Sequence, residues 1–306
     1  MLLQVTHETR YAYAPSVETA QHLAHLRPLA TASQELLAHR LEITPEPAQR
    51  SESTDTYGNA RAFFALDSTH ESLSVVAHSL VRTSPPELDA AASRTLPWEQ
   101  ARERFRYRKG AAYDPAGEFV FPSRYAPRDE AFAAYARASF TPGRPLLEAA
   151  EDLTQRIYDE FIYDGDSTEI STPAVQALAQ RRGVCQDFAH IMIACLRTLG
   201  LPARYVSGYL LTQPPPGEER LVGADASHAW VSVYLPGDEG PGGWADFDPT
   251  NGRQPGEDYV SLAVGRDFAD VSPMRGVLHG GARHTLKVGV TVQPVESAGS
   301  TPPSTA

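Results

Sequence analysis

Only two cysteines, Cys185 and Cys195, occur among the 306 residues, too few for a disulfide-stapled scaffold. Placed on one helix, they would be separated by about 15 Å of axial rise, far beyond disulfide reach. No apolar run approaches the roughly 20 residues needed to cross a bilayer. The opening residues, Met1 to Glu8, lack the basic-then-apolar pattern of a secretory signal, so a cytoplasmic location is the expectation. No Cys-x-x-Cys or His-x-x-x-His pair announces zinc, and no calcium loop is recognisable. Cys185 and His190, joined by His228 with Asp246 or Asp248, are the main rival metal set, and the spacing argues against it. Positive charge is also in short supply. The net charge of −11 argues against a nucleic-acid surface and against docking on anionic membranes. The one basic cluster, Arg102 to Lys109, reads as a solvated face.

What remains is an ordinary globular composition, 42% hydrophobic and 21% charged, enough for one large or two ordinary domains. Residues 1–83 read as an N-terminal antiparallel β-domain. A strand over Val5–Tyr13 stops at Pro15, another over His39–Ile43 stops at Pro45, and Leu73–Val81 closes at a pair of prolines. Short strands separated by turns suggest a small sandwich or barrel. Residues 84–144 read as a connecting helical layer, with a short helix over 129–138. Residues 145–295 form the core, whose C-terminal strand spans His284–Val292, and 296–306 read as a disordered tail. Within the core, apolar residues at helical intervals run from Leu146 to Phe161. Thr172-Pro173 reads as the cap and first position of a second helix ending at Gly183. A third helix opens at Cys185 and stops at Gly200-Leu201-Pro202. Strands then cover Ala203–Leu211, His228–Leu235 and Trp244–Asp248.

Cys185 stands where a thiol would be activated. It opens a helix, whose free N–H groups and positive dipole end favour a thiolate, and Gly183 lets the chain turn sharply just before it. Cys195 falls mid-helix on the apolar stripe and reads as core. His228 enters one strand and Asp248 ends the next, so antiparallel pairing would set imidazole beside carboxylate. Strand alternation puts Asp246 on the same face, as the rival orienter. Gln186 and Asp187, in the first turn after Cys185, read as structural, with Asp187 available for capping.

Four ordered blocks carry a resemblance: Arg182-Gly183-Val184-Cys185-Gln186-Asp187-Phe188-Ala189, Leu201 to Tyr209, Ser227-His228-Ala229-Trp230, and Phe247-Asp248-Pro249-Thr250. Together they resemble the transglutaminase-like superfamily, and more closely its bacterial members described as transglutaminase-like enzymes or cysteine proteases. Thr9–Tyr13, His22 to Pro28, Asp55–Asn59 and Gly265–Pro273 are similar to segments flanking the core in that subgroup. The resemblance implies an α+β fold: the N-terminal antiparallel β-domain followed by a papain-like, transglutaminase-like core, its cysteine-bearing helix against an antiparallel sheet. It implies nucleophile Cys185, base His228 and orienter Asp248; some eukaryotic members depend on calcium, but the missing calcium loop and zinc spacing lead to the expectation of no cofactor and no metal. Tyr163 is a possible second oxyanion donor, while Trp230 and Trp244 pack the sheet near the site or wall its cleft. The expected substrate is a peptide or protein amide, attacked through a thioester and passed to water, as in an amidase or protease. Delivery to an amine, as in a protein crosslinker, and a non-catalytic binding module are the alternatives.

Overall fold

In the computed structural model, which describes residues 1–86, 96–110, 113–165, 172–212, 227–237, 242–281 and 283–295, the chain opens on a 23-residue strand, β1 (Leu2–Ala24). Leu3, Val5, His7 and Thr9 are buried and alternate with more exposed neighbours, the period of a strand with one covered face. β2 (Gln34–Thr44), β3 (Gln49–Thr54), β4 (Ala60–Leu66) and β5 (His70–Thr83) join it in the antiparallel order β2-β5-β1-β4-β3. The strand expected to stop at Pro15 runs on through it. Pro15 falls between Ala12 and Val17, where the pairing with β5 shifts register, so its missing N–H breaks no ladder bond there.

The middle of the chain is helical: α1 (Trp98–Arg104), a short 3-10 turn (Pro115–Val120), α2 (Glu130–Ala136) and α3 (Leu146–Glu160). The side chain of Asp129 caps α2 by accepting from the Ala131 N–H at 2.8 Å. β6 (Ile162–Tyr163) leads to α4 (Ala174–Gln180), which is shorter than expected. Pro173, not Thr172, holds its cap position, and Arg181 ends it in the left-handed region at φ 53°. The residues freed, β7 (Arg182–Gly183), pair in parallel with β6 instead. α5 (Cys185–Thr198) follows and is buried from Asp187 through Arg197. It lies between α2, α3 and α4 on one side and a second sheet on the other. That sheet, β8 (Ala203–Leu210), β9 (Ser227–Leu235), β10 (Gly243–Phe247) and β11 (Tyr259–Gly265), is antiparallel in the order β10-β9-β8-β11.

The chain ends with α6 (Phe268–Val271), β12 (Met274–Gly280) and β13 (Arg283–Pro294). The C-terminal strand, expected with the core, belongs elsewhere. β13 pairs with β1 from Leu3↔Pro294 to Ala14↔Arg283, and β12 continues along its second half, from Val17↔Gly280 to Ala24↔Met274. The reason is packing: Val290 and Val292 bury beside Leu3, Val5 and Val81 in the cluster that includes α5. The N-terminal region is therefore part of a seven-stranded sheet rather than a small sandwich or barrel of its own strands. The expected tail from residue 296 lies outside the described residues.

Two buried amides fasten this sheet to the core. Asn59 brackets Val264 of β11, donating to its carbonyl at 2.7 Å and accepting from its N–H at 2.8 Å. Gln34 does the same to Ser261, at 2.8 Å both ways. β11 is an edge strand, and these side chains satisfy main-chain groups that an edge would leave open.

Candidate active site

The start of α5 is held by its own first turn. The Asp187 carboxylate accepts from the Val184 N–H at 2.9 Å, filling the capping role open to it in the sequence. Gly183 makes room for this: a Cβ there would sit 2.7 Å from Asp187 Oδ2. Cys185 follows, half-buried, with its side chain against the main core. Cys195 is fully buried one face further along the helix, and burial pushes its thiol far up. His190, also buried, stacks on Tyr125 and accepts from the Phe268 N–H at 3.2 Å. Its pKa falls to about 3, chiefly through burial, so it is a neutral core histidine. Among the described residues no three His, Cys, Asp or Glu side chains converge as metal ligands.

His228 is the second residue of β9, and its ring is held by Asp248 and influenced by Cys185. Nε2 donates to Asp248 Oδ2 at 2.7 Å, and the Cys185 thiol is near enough to act on the ring. Burial alone would lower the pKa of His228. Hydrogen bonds to Asp248 and Cys185, with the charges on both, overcome it and push it up to about 10. Asp248 is completely buried. Besides His228, its Oδ2 accepts from the Tyr259 hydroxyl at 2.6 Å and Asn251 Nδ2 at 2.7 Å. Its Oδ1 accepts from the N–H groups of Thr250 and Asn251 at 2.8 and 3.3 Å. Burial would raise its pKa, but His228 and the other donors hold the carboxyl below its usual range. Asp246 does not compete for His228: its Oδ2 accepts from Trp230 Nε1 at 3.0 Å.

Tyr163, on β6, is 59% exposed. Burial and the neighbouring Cys185 charge both raise its pKa, which puts its hydroxyl in the electrostatic reach of the thiol. Trp230 is buried with its ring 6.2 Å from His228 and edge-on to Tyr259 at 5.3 Å, forming the wall behind the histidine. Trp244 is not brought to the thiol. Its neighbours are Phe119, Tyr234 and the Arg204 guanidinium, on the far face of the sheet.

Residues 133–249, which hold Cys185, His228 and Asp248, match the family described as the transglutaminase-like superfamily, and residues 3–82 match the bacterial transglutaminase-like N-terminal region. An uncharacterized protein of Mycobacterium tuberculosis is 42% identical over 296 residues, covering 96% of this chain and 93% of that one. The chain belongs to the transglutaminase-like superfamily. A solved relative in fold is a candidate cysteine protease from Cytophaga hutchinsonii, with a TM-score of 0.71 at 23% identity, covering 97% of this chain and 92% of that one. Over a 71-residue stretch, 23% of this chain and 10% of the relative, it is 39% identical to a protein-glutamine gamma-glutamyltransferase of Pseudomonas aeruginosa.

Two residues of this superfamily member's site escape sequence reading. Asn251 lies three residues after Asp248, so its spacing was a usable signal. Tyr259 gave none, because it arrives from β11 on the far side of the carboxylate. No described helix is long and apolar enough to cross a membrane.

Proposed function

We propose that the protein is a thiol-dependent enzyme that cleaves peptide or glutamine-type amide bonds through an acyl-enzyme, with Cys185 as nucleophile, His228 as proton carrier and Asp248 as its orienter. The observation that carries this reading is the imidazole held by a buried carboxylate at 2.7 Å and lying within the influence of the Cys185 thiol. A His228 pushed up to about 10 holds its proton through the neutral range, and a positive ring beside Sγ stabilises a thiolate. The thiolate adds to the carbonyl carbon, and the charge passes to the oxygen. The first N–H groups of a helix have no partner within it, so the Cys185 N–H is one oxyanion donor, and Tyr163 is our assignment for the second. Collapse breaks the C–N bond while His228 gives its proton to the leaving amine, leaving a thioester and a neutral ring. Water then adds, with His228 taking its proton, and collapse releases the acid and restores the thiolate–imidazolium pair.

Water needs no binding surface of its own and is the default acceptor, so hydrolysis is the first choice. The name of the Pseudomonas relative favours a second reading, in which an amine replaces water. A free reactive thiol of this kind suits a reducing cytoplasm. Incubation with glutamine-containing peptides and a fluorescent amine tests the reading. Ammonia or peptide release, lost in Cys185→Ala, is expected. Amine incorporation outpacing release would replace hydrolysis by transamidation. No turnover of either kind, with Cys185 inert to iodoacetamide, would leave a binding module.

A further inference from the structure

The sheet β10-β9-β8-β11 has two faces, and α5 covers only one. On the other, Arg204, Trp230, Trp244 and Asp246 open into a cavity of about 680 Å³, bounded across from them by Thr31 and Gln34 of the N-terminal region. That is the size of a small-molecule site.

Arg204 is the unusual feature. Its guanidinium lies 4.1 Å over the Trp244 ring, its Nε is buried without a hydrogen-bond partner, and no described carboxylate comes within ion-pair distance. A structural arginine in this fold looks different. Arg197, which is buried more deeply, bonds the carbonyls of Ala203 and Arg266 and the hydroxyl of Ser123. Burial lowers the pKa of Arg204 to about 10, with nearby Asp246 working against it. Asp246 gives one oxygen to Trp230, and among the described residues nothing takes the other. The cavity thus offers a cation and an anion that face the same space without pairing, between two indole rings. A partly buried charge without a partner is costly, and a ligand that pairs it recovers that cost.

We propose that this cavity is a binding site for a free α-amino acid with an apolar side chain. Its carboxylate is taken by the Arg204 guanidinium, its ammonium by the Asp246 carboxylate, and its side chain by Trp230 and Trp244. Opposite charges in one cavity favour a zwitterion over a dianion such as phosphate, which Asp246 would repel. The site is separate from the thiol, touching the catalytic group only through Trp230 and Tyr259, so it stands or falls independently of the enzymatic reading.

Two of the three tryptophans line the cavity, so their fluorescence reports occupancy, and calorimetry on the same unaltered chain gives the affinity. L-phenylalanine and L-leucine are expected to bind saturably. N-acetyl-L-phenylalanine, which keeps only the carboxylate, and L-phenylalaninamide, which keeps only the ammonium, should each bind at least tenfold more weakly. Arg204→Gln should weaken L-phenylalanine at least tenfold, while Cys185→Ala leaves it unchanged. Should Arg204→Gln fail to fold, Ala32→Phe, which fills the cavity from the opposite wall, should abolish binding instead. Absence of saturation at millimolar amino acid, equal binding of the two capped analogues, or preferential binding of inorganic phosphate would each overturn the proposal.

Discussion

Asp248 Oδ2, fully buried, gathers three donors: the His228 ring, the Tyr259 hydroxyl and the Asn251 amide. A carboxylate so held cannot easily take a proton, and so it keeps its charge opposite the imidazolium. Asp248→Asn turns one acceptor into a donor facing other donors. With the fold retained, kcat/KM should fall roughly 10²–10⁴-fold. Tyr259→Phe removes one charge-assisted bond and should cost about 1.5–3 kcal/mol of stability, with a milder loss of activity. Denaturant titrations beside steady-state rates would separate the two effects; an Asn variant at full activity would remove Asp248 from the mechanism. His228 makes a pH prediction. Folding raises its pKa from 6.5 to about 10, so its stabilising contribution is complete below about pH 6.5 and drains away as pH climbs toward 10. The stability difference between the protein and His228→Asn should therefore shrink over that window, which urea unfolding at pH 6, 8 and 10 would reveal.

Elements with a clean period were legible, and those without one were not. The apolar spacing of α3 and α5 stood out because each buries a face against the same core. β3 and most of β12 are solvent-exposed, so nothing buried imposes alternation and neither was anticipated. Cys185, His228 and Asp248 were legible because each sits at the end of an element whose boundary the chain marks by glycine, strand onset or proline. Tyr259 depends on register between elements, which no local signal encodes. The junction before α5 also carries a prediction. Gly183→Ala would force a Cβ to within 2.8 Å of the Asp187 Cβ and 2.7 Å of its carboxylate, displacing the cap that sets the first turn. A cost of about 1–3 kcal/mol is expected from the crowding. Because the same turn carries the nucleophile, iodoacetamide labelling of Cys185 should slow as well, while buried Cys195 stays unlabelled throughout. Unchanged labelling kinetics would show that the helix start tolerates the shift.

At the scale of the molecule, chain ends meet: β13 and β12 lie along β1, a pairing no sequence-local argument could reach across most of the chain's length. The joint between sheet and core is polar as well as apolar, and it is built partly from histidine. His7, on β1, is buried and bonded through Nδ1 to the Tyr209 hydroxyl at 2.9 Å and through Nε2 to Thr9 at 3.1 Å. Burial lowers the pKa of His7 to about 4, and burial, helped by His70, does the same to His22 within the N-terminal sheet. His190 behind α5 falls to about 3. In each case the unfolded chain binds its proton near 6.5, before the folded one does. The fold therefore loses stability as pH drops below about 6.5, by a few kcal/mol per buried ring once the folded pKa is reached. Total stabilities of domains this size are of the same order, so these rings set where acid unfolds the protein. Circular dichroism should show a cooperative transition between pH 4 and 6, and His7→Gln, whose amide retains hydrogen bonding but does not titrate, should move it to lower pH. A transition at the same pH in His7→Gln would mean that carboxylates, not the buried histidine at the joint, control acid unfolding.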